Sequence, residues 1–530
     1  MGEISQDWVA RRTPATSELV SCNVSSDRAK DVRQMAAGAG IALGGKIIGR
    51  SVGLVGNVVL AHILGPASFG LYAIGWTITK ILTVLTPLGL DSGVIRFASP
   101  SVGQNPGKVK GAITQSLLFS VISGIVLGGA FFLLAPWLSN DIFHQPTLTT
   151  VFRWFALAVP LVTCLKVASA ATRVSQRMKF SAYTEDIGQP FTALVLVLGF
   201  FYFMGWRLGG ALAAFVLSFG MLVALAIYYI LQLFPEVASK ETRPVSAKRD
   251  LLSFSLPTSL SVMFGILLLW VDRLFVGYYC SASDAGIYHA ASQLSVALSI
   301  ILSGFGAIVI PMIARLYHNG KKDRLEELFK VSTKWSLYLS IPPFLVMCFA
   351  PREAVTVLFG RPYATGWMVL PILGVGQLIN SGTGPVGGML VMTGHQNAVS
   401  ILCAVIFLVE IVCAVALVPR LGMIGAAIGT SLTLGLLCAI CLIMARSSLK
   451  IWPYDRRYAK GLLATAVASV ALVLLRLLPV SSPDLFLLAT IFASGSVFCI
   501  TLIGLGLDAE DKEFLHLIVS RVLRQARGES

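Results

Sequence analysis

The fold is decided by residues 38–98, which open with Gly38-Ala-Gly-Ile-Ala-Leu-Gly-Gly-Lys-Ile-Ile-Gly-Arg-Ser-Val-Gly53 and stay apolar to about Leu64. A turn is predicted at Gly65-Pro66-Ala67-Ser68-Phe69-Gly70, and a second long apolar run follows it. Each run is long enough to form a membrane-spanning helix, which needs about 20 mostly apolar residues. Both runs nevertheless contain full charges, so this helix pair is predicted to do more than anchor the chain.

The first run has two stripes that repeat every fourth residue. Gly45, Gly49 and Gly53 lie on one helix face, and small residues so spaced let a second helix approach closely in lipid. Lys46 and Arg50 lie on the neighbouring face. One stripe therefore suits a partner helix, and the other suits an anion.

The composition predicts an all-α polytopic membrane protein. Of the 530 residues, 56% are hydrophobic and 13% are charged, against roughly 25% charged in soluble domains. The net charge of +15 is attributed to basic cytoplasmic loops rather than to a nucleic-acid partner. The Cys438-x-x-Cys441 pair has no His or charged neighbours, so no metal or cofactor is expected.

Fourteen membrane-spanning helices are predicted from the apolar runs. They lie at 36–63, 70–98, 111–137, 150–172, 187–204, 209–233, 251–279, 285–313, 331–350, 365–392, 398–418, 422–445, 461–478 and 485–506. With this assignment the cytoplasmic segments hold 28 Lys and Arg residues and the external loops hold 4. This asymmetry predicts that both termini are cytoplasmic.

An internal repeat divides the chain. Phe69-Gly70-Leu71-Tyr72 has a counterpart in Ala285-Gly286-Ile287-Tyr288, and Gly210-Ala211 has one in Gly425-Ala426, at offsets of 216 and 215. Because each half has an even number of helices, the two halves share one orientation in the membrane. Two parallel six-helix bundles are therefore predicted to form a V around a central cavity, with two further helices at the C-terminal end.

The domain boundaries follow from the repeat and from the polar segments. They are 1–35 (cytoplasmic polar tail, expected to be disordered), 36–233 (N-terminal six-helix bundle), 234–250 (cytoplasmic linker), 251–445 (C-terminal six-helix bundle), 446–506 (two additional helices) and 507–530 (cytoplasmic amphipathic tail).

The chain resembles the polysaccharide transporters, or O-antigen-type flippases, of the superfamily that also holds the lipid II flippases and the multidrug extruders. The resemblance lies in Leu64-Gly65-Pro66-x-x-Phe69-Gly70-Leu71-Tyr72 and in Asp272-x6-Tyr279 followed by Ala285-Gly286-Ile287-Tyr288. It implies a bacterial inner-membrane protein that moves undecaprenyl-pyrophosphate-linked oligosaccharide to the outer leaflet. It also implies membrane lipids, a polysaccharide polymerase and other biosynthesis proteins as partners.

Twelve charged residues fall inside the predicted spans, and each costs about 2.5–3.5 kcal/mol at the centre of a bilayer. Four of them lie near helix ends, where they are expected to extend to the interface: Arg96, Arg153, Lys334 and Arg476. Four lie deeper and are the predicted substrate-binding residues: Lys46, Arg50, Lys80 and Lys166. A hydrated cleft would let them hold a lipid pyrophosphate, whereas the alternative is a set of buried structural ion pairs.

The acidic residues in the spans do not suit an anionic cargo. Asp91, Asp272 and Glu410 are therefore predicted to serve ion coupling or gating, together with Arg273, which adjoins Asp272 and forms a structural pair or gate with it. Glu410 lies in the middle of a span without a local partner. It is either a proton carrier or a neutral carboxyl hydrogen-bonded to a neighbouring helix.

Two other functions are alternatives to the flippase. An ion-coupled exporter of cationic drugs would have a cavity dominated by acids, whereas the spans here hold more bases. A membrane-embedded glycan polymerase or glycosyltransferase would need catalytic groups on a sizeable extramembrane region, and the longest external stretches, 138–149 and 351–364, are short. No enzymatic activity is predicted, and the absence of a P-loop motif argues against ATP hydrolysis.

Overall fold

The structure is a computed structural model that describes residues 14–245 except residue 176, residues 263–479 and residues 482–506, with side chains from Gly44 onward. The described chain is helical and contains no β-strand, as the composition predicts. The helices are α1 (Pro14–Leu85), α2 (Leu90–Ala98), α3 (Pro106–Trp137), α4 (Leu148–Arg173), α5 (Met178–Ser181), α6 (Gly188–Met204), α7 (Leu208–Leu233), α8 (Pro235–Ala238), α9 (263–270), α10 (Asp272–Tyr279), α11 (Ala282–His318), α12 (Lys322–Phe349), α13 (Pro351–Phe359), α14 (Val369–Thr383), α15 (Val386–Met392), α16 (Gln396–Leu421), α17 (Met423–Met444), α18 (Tyr458–Leu477) and α19 (Pro483–Gly504).

Ten helical segments of the described chain are long and apolar enough to cross a membrane, or eleven if the bent pair α12 and α13 forms one span. Three features account for the difference from the predicted fourteen. One segment, Gly44–Ser101, contains two predicted spans, and residues 251–262 of the seventh span lie outside the described residues. The tenth span is divided between α14 and α15. The number fourteen stays a prediction.

The predicted turn between the first two spans is a kink at a single residue. Gly65 interrupts α1 with φ 70° and ψ 169°, and the helix resumes at Pro66. Glycine adopts this positive φ without the strain that a Cβ would cause. Proline is tolerated in the first turn of the resumed helix, where its missing N–H would have no intrahelical partner.

The second predicted span is itself broken. Helix α1 ends at Leu85 and α2 begins at Leu90, and between them Leu88 and Gly89 have φ values of 51° and 72°. Pro87 lacks the N–H that would continue the helix. The counterpart of this helix in the second half, α11, runs without interruption from Ala282 to His318. The break therefore belongs to the first half alone.

Helices α1–α7 pack against one another as one bundle, and α10–α17 pack as a second. Helices α18 and α19 pack on each other and against α12. The main contact between the two bundles joins α1 to α11.

The two bundles meet at a backbone crossing of the repeat-related residues Gly70 and Gly286. A Cβ on Gly70 would lie 1.7 Å from the carbonyl oxygen of Ala282, and a Cβ on Gly286 would lie 2.1 Å from that of Pro66. Only glycine permits this approach, so the axis that relates the halves passes close to this pair. We call Phe69, Gly70, Gly286 and Tyr363, which pack together here, the seal. The predicted topology puts the seal at the external side.

The polar segments differ from the sequence-based expectation in part. The tail 1–35 is predicted to be disordered, but from Pro14 its backbone continues α1, because no proline or glycine interrupts residues 15–37. The start of the linker packs on α3, where the amide of Val245 donates to the carbonyl oxygen of Gly107 at 2.9 Å. Residues 1–13, the linker end 246–250 and the predicted amphipathic tail 507–530 lie outside the described residues.

Candidate functional site

The exposed face of α1 carries Lys46 and Arg50, which we call the basic stripe. The Arg50 Nη1 donates to the Ser303 Oγ on α11 at 2.9 Å, so this face is directed toward the second bundle. Ser303 is exposed, and Ser299, one turn away on α11, is half-buried. Because exposed charges and hydroxyl groups are costly in lipid, the arrangement favours a water-filled gap between α1 and α11.

The glycine stripe of α1 packs as the spacing predicts. A Cβ on Gly45 would lie 3.0 Å from the Ala182 Cβ, and a Cβ on Gly49 would lie 1.9 Å from the carbonyl oxygen of Asp186. These contacts belong to the π-helical turn Ala182–Asp186 that precedes α6. The stripe therefore fixes the rotation of α1, and so it directs the basic stripe away from the first bundle.

The Lys80 side chain is half-buried on α1, one helical turn beyond Trp76. Its Nζ is 4.2 Å from the centroid of the Trp76 ring, which is a cation–π contact. Lys166 and Glu185 are close enough to interact electrostatically with it. Lys80 thus lies half-buried between one basic and one acidic neighbour.

Lys166 spans the break between α1 and α2. Its Nζ donates to the carbonyl oxygen of Thr83 at 2.7 Å, in the last turn of α1, and it interacts electrostatically with Asp91 in the first turn of α2. A cation at a helix C-terminus and a carboxylate at an N-terminus are each stabilised by the helix dipole. The structure therefore gives Lys166 and Asp91 a local structural role beside the predicted binding and gating roles.

Two acidic residues of this region were missed by the sequence analysis. The Glu185 Oε2 forms an ion pair with the Arg173 Nη2 at 2.7 Å. Asp186 interacts electrostatically with both residues of the basic stripe. The signal in the sequence is the run Thr184-Glu185-Asp186, which directly precedes the fifth predicted span and lies in a predicted loop. The region still has more bases than acids: Lys46, Arg50, Lys80, Lys166 and Arg173 against Asp91, Glu185 and Asp186.

Asp272 and Arg273 form the structural pair predicted from their adjacency. The Arg273 Nη1 and the Asp272 Oδ1 are 2.8 Å apart, and both side chains are almost fully buried. The hydroxyl of Tyr288 donates to the Asp272 Oδ2 at 2.7 Å. The carboxylate is therefore held on both oxygens inside the second bundle.

Glu410 is 1% exposed and has two partners on the neighbouring helix α17. The Thr430 hydroxyl donates to its Oε1 at 3.0 Å, and the Thr433 hydroxyl donates to its Oε2. Thr430 also lies 3.4 Å from the Asp272 Oδ2. Because a hydroxyl has one proton to donate, Thr430 links the two carboxyl groups and can serve only one of them at a time.

Arg273 makes further contacts that the sequence did not indicate. Its Nη2 donates to the Ser292 Oγ at 2.9 Å and its Nε donates to the His289 Nδ1 at 3.3 Å. His289 follows Tyr288 in the repeat motif, which was the only signal for it. Arg273 is therefore the centre of a buried polar network on α10 and α11.

The prediction that the Lys334 side chain extends to the membrane interface is wrong. This side chain is 1% exposed within α12. Helix α12 packs against α11, α14 and α19, and such packing between helices is not visible in the pattern of a single helix.

Among the described residues, no three His, Cys, Asp or Glu side chains come together in a way that could hold a metal ion. Cys438 and Cys441 are buried as free thiols within α17.

Comparisons with known proteins agree with this architecture. Residues 35–317 match the family described as "Polysaccharide biosynthesis protein", and residues 257–416 match the MatE family. The "Succinoglycan biosynthesis transport protein ExoT" of Rhizobium meliloti is 24% identical over 60% of this chain, and the match covers 61% of that protein's length. The "Probable flippase AglR" of Haloferax volcanii is 21% identical over 85% of this chain and 92% of its own length.

The fold has a counterpart among solved structures. The structure of "Lipid II flippase MurJ, inward closed conformation" superposes with a TM-score of 0.69, at 14% identity, over 86% of this chain and 96% of that chain. At this identity the likeness shows the fold alone. The family match, which covers more than half of the residues, together with the two-bundle helical fold, shows that the chain is a multi-pass membrane protein of the polysaccharide biosynthesis protein family.

Proposed function

We propose that the protein is a flippase that moves undecaprenyl-pyrophosphate-linked oligosaccharide from the inner to the outer leaflet of the bacterial inner membrane by alternating access. The proposal is consistent with a family of polysaccharide biosynthesis proteins and with relatives named as a transport protein and a probable flippase. In this proposal both termini are cytoplasmic.

The observation that carries the proposal is the contact between Arg50 and Ser303 across the two bundles. It indicates that the basic stripe borders the gap between the bundles instead of a lipid-facing surface. A pyrophosphate needs cationic partners when it leaves water. A guanidinium is such a partner, and it can donate two parallel hydrogen bonds to one phosphate group. The polyprenyl tail can remain in lipid while the sugars occupy the gap.

The neighbouring acids provide partners for these cations when no cargo is bound. Asp186 interacts electrostatically with Lys46 and Arg50. A pyrophosphate that enters the gap would compete with this carboxylate for the basic stripe. Such exchange keeps the cations compensated in both states, which lowers the cost of holding charges at this depth.

Alternating access requires two ends that open in turn. The seal closes one end through the Gly70–Gly286 crossing, whereas the basic stripe near the other end is exposed. We place the exposed end at the cytoplasm, where the loaded lipid carrier would enter. In this arrangement Glu410 and Asp272, joined through Thr430, are the proposed ion-coupling site in the second bundle.

Substitutions at Arg50 test the proposal, with growth or polymer production in a flippase-deficient strain as the measurement. Arg50→Lys should keep part of the activity because the charge remains, whereas Arg50→Ala should lose most of it. Arg50→Glu should be worse than Arg50→Ala because it repels the pyrophosphate. Lys46→Ala and Lys80→Ala should each reduce activity at normal membrane protein levels.

The matched control is Ser303→Ala, which removes the partner of Arg50 and leaves its charge. It should affect transport less than Arg50→Ala does. Full complementation by a stable variant that lacks Lys46, Arg50 and Lys80 together would exclude both the cleft and the anionic cargo.

A second candidate is an ion-coupled exporter of cationic drugs, which the MatE match over residues 257–416 favours. Its prediction is opposite in sign, since a cationic drug would depend on Glu185 and Asp186 instead of the basic stripe. Drug resistance conferred by the intact chain, and lost in Asp186→Asn but kept in Arg50→Ala, would support this candidate over the flippase.

A further inference from the structure

An unbroken chain of contacts leads from the proposed coupling site to the seal. It passes from Glu410 to Thr430 at 3.0 Å, from Thr430 to Asp272 at 3.4 Å and from Asp272 to Arg273 at 2.8 Å. It continues from Arg273 to His289 at 3.3 Å. All of these contacts belong to the second bundle.

The last contact crosses to the first bundle. The His289 ring lies 5.3 Å from the ring of Phe69, centroid to centroid, and both side chains are at most 1% exposed. Phe69 also packs edge-on against Tyr363, whose hydroxyl donates to the carbonyl oxygen of Ala61 at 2.9 Å. Phe69 is therefore an aromatic side chain of the first bundle inserted between two rings of the second.

The geometry fixes the chemical state of His289 when the seal is closed. A guanidinium only donates hydrogen bonds, so the His289 Nδ1 must accept from Arg273 and the imidazole is neutral with its proton on Nε2. The His289 Nε2 lies 3.1 Å from the Gln293 side-chain nitrogen, and because both groups are then donors, Gln293 can accept from the ring only with its amide turned so that the oxygen faces Nε2. The ring orientation that packs on Phe69 is thus the one that Arg273 holds.

We propose that His289 is a positioning residue that couples the Glu410–Asp272 carboxyl pair to the closure of the seal, an inference that rests on the proposed coupling role of this pair. When the charge on the pair changes, Thr430 and Asp272 change their hydrogen bonding, and Arg273 shifts its hold on His289. Phe69 then loses one of the two rings between which it packs. Phe69, the first-bundle partner in this contact, carries no charge, so the signal reaches it through packing.

The test measures opening of the seal without any cargo. Ala61 is 1% exposed and accepts the Tyr363 hydrogen bond through its backbone carbonyl, which a substitution keeps. It is replaced by Cys in a full-length chain whose nine native cysteines are substituted. The rate of its reaction with an impermeant maleimide is followed in membrane vesicles. Glu410→Gln should change this rate at least threefold, and in a His289→Phe background the same substitution should change it less than 1.5-fold.

The matched control is His318→Phe, the same replacement at the exposed far end of α11. It should leave the threefold response intact. An undiminished response in His289→Phe overturns the proposal, as does the absence of any response to Glu410→Gln in the parent chain. Because no oligosaccharide is present, these outcomes are separate from those of the Arg50 transport experiment.

Discussion

Gly286→Ala is the most direct test of how the bundles meet. The new Cβ would lie 2.1 Å from the Pro66 carbonyl oxygen and 2.8 Å from the Gly70 nitrogen, and both are backbone atoms that cannot turn away. Overpacking of this kind costs about 1–3 kcal/mol. In the proposed alternating access the crossing separates when the seal opens, so that cost applies to the closed state alone.

A differential cost of about 1–3 kcal/mol shifts the ratio of open to closed molecules by about 5- to 150-fold. The assay is the labelling rate of Ala61→Cys by an impermeant maleimide, which should increase by a factor in this range. Gly304→Ala is the control on the same helix, since a Cβ there has no atom within 4 Å, and it should leave the rate unchanged. An unchanged rate in a folded Gly286→Ala protein would refute the argument that the crossing holds the seal closed.

Three further outcomes follow from the contacts. Gly49→Ala should lower the free energy of unfolding of the purified protein by about 1–3 kcal/mol, because its Cβ would lie 1.9 Å from the Asp186 carbonyl oxygen. Gly56→Ala, which has open space around its Cβ, should leave the free energy of unfolding unchanged. Equal effects of the two substitutions would contradict the packing of the glycine stripe. Asp272→Asn should destabilise the protein by about 3–5 kcal/mol in the same measurement, since Arg273 would remain buried without its carboxylate partner. A smaller loss of stability would indicate that water reaches the pair. Cysteine at the exposed Ala67 should react with an impermeant reagent from outside and cysteine at the exposed Lys108 should not; equal reaction at both would reverse or abolish the predicted topology.

Much of the candidate site could be assigned from the sequence because the chemistry of lipid leaves few alternatives. A charged residue in a long apolar run must have a special environment, which singled out Lys46, Arg50 and Glu410 without any structure. The four-residue spacing of glycines predicted a close helix contact for the same reason. The structure added the identity of the partner, which is the turn before α6.

The sequence by itself determined the all-helical membrane class, the division into repeated halves and the residues that carry charge into the membrane. These properties depend on local composition and on helical periodicity, which a single chain displays. The tertiary structure alone decided which charges compensate one another. Lys166 closes the break at the end of α1 and His289 joins Arg273 to Phe69, because these partners lie far apart in the chain and meet only through helix packing.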